Sequence, residues 1–191
     1  MTDQPLGTGP RLRAIIAELD RWAAAIPVAD VDRVRAEVRA ARRVFVAGAG
    51  KSGLVARAFA CRLVHLGLVV HVAGDITTPA IEKGDLLLVT SGSGETAGIA
   101  ALVATAKAAQ AKVALLTMGS DSTMGRAADV VVRVPGAGAT APDGTRITSI
   151  QPLGSLFEDL CLLVYDTLVG ELMADLDQSE QQLRGRHTNL E

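Results

Sequence analysis

The sequence predicts a three-layer α/β/α protein: a doubly wound, five-stranded parallel sheet of order 2-1-3-4-5 with helices ahead of its first strand. Three observations carry this expectation. Strand-sized apolar runs alternate with helix-length stretches from residue 43 to residue 134. Those runs are continuous rather than alternating, as strands covered on both faces are. The 19 glycines suit many tight strand-to-helix turns better than long flexible tracts.

The elements follow in order. Residues 1–10 read as a flexible tail, and residues 11–191 as a single domain. Leu12, Ile15, Ile16, Leu19 and Trp22 recur at helical spacing over residues 11–25, and Pro27 breaks that helix. Asp30 is placed to cap a second helix carrying Val31, Val34 and Val38 on one face. Arg43–Ala47 is the first strand, ending in Gly48. Residues 52–66 form a helix with Leu54, Val55, Ala58, Phe59, Leu63 and Leu66 on its apolar side. Leu68–Ala73 and Asp85–Thr90 are the second and third strands. An Ala-rich helix over 96–110 leads to the fourth strand, Lys112–Thr117. A short helix at Ser122–Ala128 precedes the fifth, Val130–Val134. Pro135–Arg146 is a Gly/Ala/Pro loop, expected to be the least ordered internal stretch. A long helix over Ser149–Ala174 is hydrophobic all round, which suggests burial, against another subunit included. The polar tail from Asp177 offers Ser179 as the N-cap of a short last helix.

Composition bounds the function. Hydrophobic residues make up 49% and aromatics 3%, so the core is aliphatic. A formal net charge of -2 gives no general attraction to nucleic acid or to an anionic membrane. Cys61 and Cys161 are far apart, each in an apolar run and without metal-site or disulfide spacing, and read as two buried free thiols. The first ten residues lack the apolar core of a signal peptide, and no apolar run reaches transmembrane length; a cytoplasmic protein is expected.

Two glycine loops carry the chemistry. Gly48-Ala-Gly-Lys-Ser-Gly53 follows the first strand, and Ser91-Gly-Ser-Gly-Glu-Thr96 follows the third. Small residues let the backbone approach an anion, a helix start adds unpaired N–H groups, and Ser and Thr add hydroxyl donors. In a 2-1-3-4-5 sheet the two strands are neighbours, so both loops face one crevice. Ser91, Ser93 and Thr96 would cradle a phosphate, with Gly50, Lys51 and Ser52 across from them. Gly48-x-Gly-x-x-Gly53 also fits a dinucleotide fingerprint, with Asp75 about where a ribose-binding acid would stand. The absence of room for a substrate domain and the second, Ser-rich loop weigh against that reading. A P-loop is excluded because its first glycine would fall on Phe45.

At these residues the chain resembles the SIS (sugar isomerase) family, whose loop after the third strand is typically Ser-Gly-Ser-Gly-x-Thr. Further support comes from Arg62-Leu-Val-His-Leu-Gly67, Thr78-Pro79, Gln151-Pro-Leu-Gly-Ser-Leu-Phe-Glu158 and the ending Arg186-His-Thr-Asn-Leu-Glu191. The resemblance spans roughly residues 11–191 and implies the flavodoxin-like SIS fold. Its Pro-Leu-Gly and Arg-His segments point to the branch that interconverts 3-hexulose 6-phosphate and fructose 6-phosphate in the ribulose monophosphate route. It implies a homotetramer without cofactor or metal, a sugar-phosphate substrate, and functional pairing with the synthase that makes the 3-hexulose. One departure is Lys51, where Arg is the commoner residue; Lys keeps the charge but gives up bidentate phosphate geometry.

Moving a carbonyl between adjacent carbons requires a base beside them, a donor facing the oxygens and an anchor for the phosphate. Glu158, at the start of an apolar helix, is the candidate base on the strength of the resemblance; without it, a first-turn ion pair would be the simpler account. His187 in the tail could reach a neighbouring subunit's crevice and donate to a sugar oxygen. His65 is a further candidate, with a satisfied core or interface histidine as the alternative. Two other functions fit the family: an aldose-ketose isomerase acting on a pentose phosphate such as arabinose 5-phosphate, or a non-catalytic sugar-phosphate-binding regulator. The second would need a DNA-binding helix-turn-helix domain, and the two leading helices carry no basic recognition face.

Overall fold

The computed structural model describes residues 7–141 and 143–190. Strands β1 (Val44–Gly48), β2 (Val70–Val72), β3 (Leu86–Thr90), β4 (Lys112–Thr117) and β5 (Val130–Arg133) form one sheet in the order β2-β1-β3-β4-β5. Every neighbouring pair is parallel, as the continuous apolar runs require. The helices are α1 (Thr8–Ala23), α2 (Val28–Ala40), α3 (Gly50–His65), α4 (Ala97–Ala108), α5 (Thr123–Ala127), α6 (Ser155–Asp175) and α7 (Glu180–Gly185).

Successive strand residues enter two separate cores. Val44, Val46, Leu86 and Leu88 pack with Phe59 of α3 and Leu160 of α6. Phe45, Ala47, Leu87 and Val89 pack with Val103 of α4 and Met124 of α5. This period of two is the pleat itself, and burial on both sides leaves no polar position in the centres of β1, β3 and β4. The buried Thr90 hydroxyl at the end of β3 meets the Tyr165 hydroxyl of α6. Tyr165 in turn stacks on Phe59 at 4.4 Å, so sheet, α3 and α6 are locked at one point.

Several expectations are corrected. Helix α2 starts at Val28 with Pro27 at its N-cap; Asp30 sits inside the first turn and pairs with Arg33. Thr8–Pro10 already belong to α1, because a proline in the first turn costs no hydrogen bond; residues 1–6 fall outside the described residues. Leu54, Ala58 and Cys61 lie on the exposed face of α3, so Cys61 is not a buried thiol, whereas Cys161 is buried. The loop after β5 is a small hairpin with Thr140 bridged to Arg146 and with Ala141 and Ile147 buried; Pro142 lies outside the described residues. Helix α6 starts at Ser155 rather than Ser149, since Pro152 and Gly154 interrupt it and Leu153 is left-handed with φ 53°. It buries one face and exposes Leu162 and Leu163 on the other. Ser179 caps α7 in a complete capping box with Gln182, as expected.

A charged cluster fastens the opposite end of β1 and β3. The Asp85 carboxylate is fully buried and accepts from Arg43 at 2.6 Å, from Arg42 at 3.2 Å and from the Glu82 backbone N–H at 2.9 Å. Burial alone would push its pKa up, but the bonds from Arg43, Glu82 N–H and Arg42 outweigh burial and hold it at about 2. A depressed carboxylate stabilises the fold above its unfolded pKa, near 4, and loses that contribution as pH falls towards the folded value. Asp85→Asn should therefore lower the unfolding free energy at pH 7 by about 2 kcal/mol. In urea titrations the gap between wild type and variant should close between about pH 5 and pH 2; a gap independent of pH would contradict this.

Candidate functional site

Strands β1 and β3 are in register from Val44 opposite Leu86 to Gly48 opposite Thr90, so their C-terminal ends are level. Helix α3 then packs into one core and α4 into the other. The loops Gly48–Gly53 and Ser91–Thr96 consequently flank one crevice at the switch point of the sheet.

The first loop is tight because the start of α3 rests on the end of β1. A Cβ on Gly53 would lie 2.6 Å from the Gly48 carbonyl oxygen, so no larger residue fits without displacing backbone. Lys51 and Ser52 thereby enter the first turn of α3, directly at the crevice. In the second loop Gly94 is buried with φ 65°, and a Cβ there would meet Ser122 Oγ at 2.1 Å. Ser93 and Thr96 are exposed, while Ser91 is nearly buried and tied to β4 by its backbone N–H. Thr96 holds the N-cap position of α4 without using its side chain in the cap. Its hydroxyl and the first-turn N–H groups of α4 together present donors suited to an anion.

Glu95 stands just ahead of α4 but caps a different helix, α5. It accepts from the Thr123 backbone N–H at 2.7 Å and so ties the second loop to α5. Hydrogen bonds from Thr123 hold its carboxyl below the usual range. Nothing in local spacing announces a partner 28 residues away.

Helix α6 begins above both loops. The Phe157 ring lies 3.4 Å from where a Gly92 Cβ would stand. The next residue, Glu158, has a side chain 14% exposed and reaches the first loop. The Ser52 hydroxyl donates to Glu158 Oε1 at 3.2 Å. Lys51 Nζ lies 2.9 Å from Asp159 Oδ1 and 3.6 Å from Glu158 Oε2. One turn on, burial and then the Glu158 charge push the Cys161 thiol up, so it stays protonated. Gly50, Lys51, Ser52 and Glu158 are thus brought together beside the loop of Ser91, Ser93 and Thr96.

The two histidines are not part of this grouping within one chain. His65 is at the other end of α3, roughly 20 Å from Ser52 along the helix axis. It is buried and stacks on His187 at 5.0 Å. Arg186 fixes the tail there by donating to the His65 carbonyl at 3.0 Å and to Gln178 at 2.7 Å. Glu191 lies outside the described residues. Asp75 pairs with Arg57 at 2.7 Å. Among the described residues no cluster of three or more His, Cys, Asp or Glu is placed to hold a metal ion.

A model of the SIS domain matches residues 37–156. The chain is 40% identical over 177 residues to a Bacillus subtilis (strain 168) protein named 3-hexulose-6-phosphate isomerase, covering 93% of this chain and 95% of that one. It is 50% identical over 149 residues to a Mycobacterium gastri protein of the same name, covering 78% and 74%. A solved structure from Methanococcus jannaschii, from which a 3-hexulose-6-phosphate isomerase function was inferred, aligns with a TM-score of 0.77 and 27% identity over 95% of this chain and 99% of that one.

Gly94→Ala tests the second loop. The added Cβ meets both an unfavourable φ and the Ser122 side chain, so unfolding free energy should fall by roughly 2–4 kcal/mol. Unchanged stability in denaturant titration would show that the loop is not held as described.

Proposed function

We infer the reaction from one premise: the chain belongs to the SIS domain family, with relatives at 40% and 50% identity named 3-hexulose-6-phosphate isomerase. The protein is an isomerase that interconverts D-arabino-3-hexulose 6-phosphate and fructose 6-phosphate. The observation that carries the residue roles is the meeting of a largely buried carboxylate, Glu158, with the Lys51-Ser52 turn beside the hydroxyl-rich second loop.

In the direction of fructose 6-phosphate, Glu158 takes the proton from C2, and the C–H electrons form the C2=C3 bond of an enediolate. The former carbonyl oxygen at C3 gains a proton. The C–H proton is then returned at C3 while O2 loses its hydroxyl proton and becomes the carbonyl. One C–H proton and one O–H proton change place, and no external oxidant or reductant enters the balance. Ser52 orients Glu158 by donating to its other oxygen. Lys51 brings positive charge beside the carboxylate, where the enediolate oxygens become negative. Ser91, Ser93, Thr96 and the start of α4 hold the phosphate, with Gly50 leaving room for the first loop to turn.

The acid partner requires a second copy. Since His65 and His187 lie far from Glu158 of their own chain, we propose a homotetramer in which the tail of one copy approaches the crevice of another. Leu54, Ala58 and Cys61 support this as an exposed, largely apolar stripe on α3, flanked by Val64. The same reading places the enzyme in the cytoplasm, in the ribulose monophosphate route, paired in function with 3-hexulose-6-phosphate synthase.

Glu158→Gln should reduce kcat with fructose 6-phosphate by about 100-fold or more. Its KM should change little and its Tm should stay near that of the wild type; near-normal turnover would remove Glu158 from the mechanism. Turnover of arabinose 5-phosphate instead of fructose 6-phosphate would reassign the substrate. For the assembly, Ala58→Glu should reduce the sedimenting species from a tetramer to smaller forms and lower activity with it. A fully active wild-type monomer would contradict the shared site.

A further inference from the structure

We propose that Glu18, on the N-terminal helix α1, is a positioning residue for the reaction: it clamps the turn on which the Glu158 carboxylate rests. The proposal builds on Glu158 as the base. Glu18 lies ahead of the matched segment, residues 37–156, and far in sequence from every residue of the crevice.

Three hydrogen bonds converge on its carboxylate. Ile150 N–H donates to Oε1 at 3.0 Å, the Ser149 hydroxyl to Oε2 at 2.9 Å and the Gln151 side-chain amide to Oε2 at 3.2 Å. Gln151 N–H in turn donates to Ser149 Oγ at 3.0 Å, which closes a small network. Gln151 is 8% exposed, so loss of its partner would leave a nearly buried amide unsatisfied.

What this network holds is a strained element. Directly after Gln151 come Pro152, Leu153 and Gly154. Leu153 has φ 53°, a conformation that costs a branched side chain about 1 kcal/mol or more. The residue is 94% exposed, so no packing of its own compensates. Such a turn persists when its flanks are fixed. The α6 helix fixes one flank and Glu18 the other. Gly154, the N-cap of α6, stands under the Glu158 carboxyl: a Cβ built on it would lie 3.7 Å from Glu158 Cδ and 3.8 Å from each carboxylate oxygen. A shift of this turn is therefore a shift of the base, and a misplacement of about 1 Å is enough to cost up to 100-fold in rate. The phosphate loops, carried by β1 and β3, are not attached to Glu18.

The test is steady-state kinetics with fructose 6-phosphate, at a temperature well below unfolding, on Glu18→Ala and Glu18→Gln. Glu18→Ala should lower kcat about tenfold or more, leave KM within about twofold, and lower Tm by a few degrees at most. Glu18→Gln keeps one acceptor oxygen and should recover a large part of kcat. Unchanged kcat in Glu18→Ala would overturn the proposal. So would a loss of rate fully accounted for by the unfolded fraction, or a rise in KM with kcat intact. Glu158→Gln measured alongside separates the two ideas: full activity there defeats the base assignment itself, whereas an inactive Glu158→Gln with a normal Glu18→Ala defeats the clamp alone.

Discussion

Strands β1 and β3 lie side by side, run the same way and end level, while the helices that follow them leave to opposite faces of the sheet. That single constraint opens the crevice and puts two backbone turns on its two rims. Each turn is then narrowed by close approach. Gly48 and Gly53 let α3 sit on the end of β1, and Gly94 lets the second loop pass Ser122. Thr96 holds the N-cap position of α4, so the hydroxyl and the first-turn N–H groups at this rim are positioned by the start of a helix.

Helix α6 supplies what the sheet alone lacks, a carboxylate. Its placement is fixed from below by the buried pair of Thr90 and Tyr165 and by the stacking of Tyr165 on Phe59. Tyr165 is two turns from Glu158, so the anchor and the charged group share a face of the helix. Between them Cys161 is buried and protonated, which keeps a second negative charge away from Glu158. At the top, the Ser149–Gly154 turn sets where the helix begins. The site is thus determined by two supports of different kind: a packed aromatic one in the core and a polar one at the surface.

Much of the fold was legible because continuous Val, Leu and Ala runs have few ways to be buried on both faces, and strand order follows from where the glycine turns fall. The two loops were legible for the same reason. Residue pairs distant in sequence were not. Glu95 with Thr123 and Glu18 with Ile150 leave no periodic trace, since a capping carboxylate looks like any exposed one. Leu54 and Ala58 are exposed although the apolar pattern of α3 includes them, because apolar residues surround much of that helix and periodicity alone does not choose a face. Ser149 and Gln151 resemble a helix start, but their polar groups are taken by Glu18 and by each other, and α6 begins only at Ser155. Glu158 stood out through family resemblance; its contact with Ser52 could not be derived from spacing.

The most direct test of the account is a crystal structure with fructose 6-phosphate bound. The phosphate should lie within hydrogen-bonding distance of Ser93, Thr96 and the start of α4, with the Glu158 carboxylate facing C2 and C3. A phosphate seated away from the Ser91–Thr96 loop, or a Glu158 side chain turned from the sugar, would contradict it.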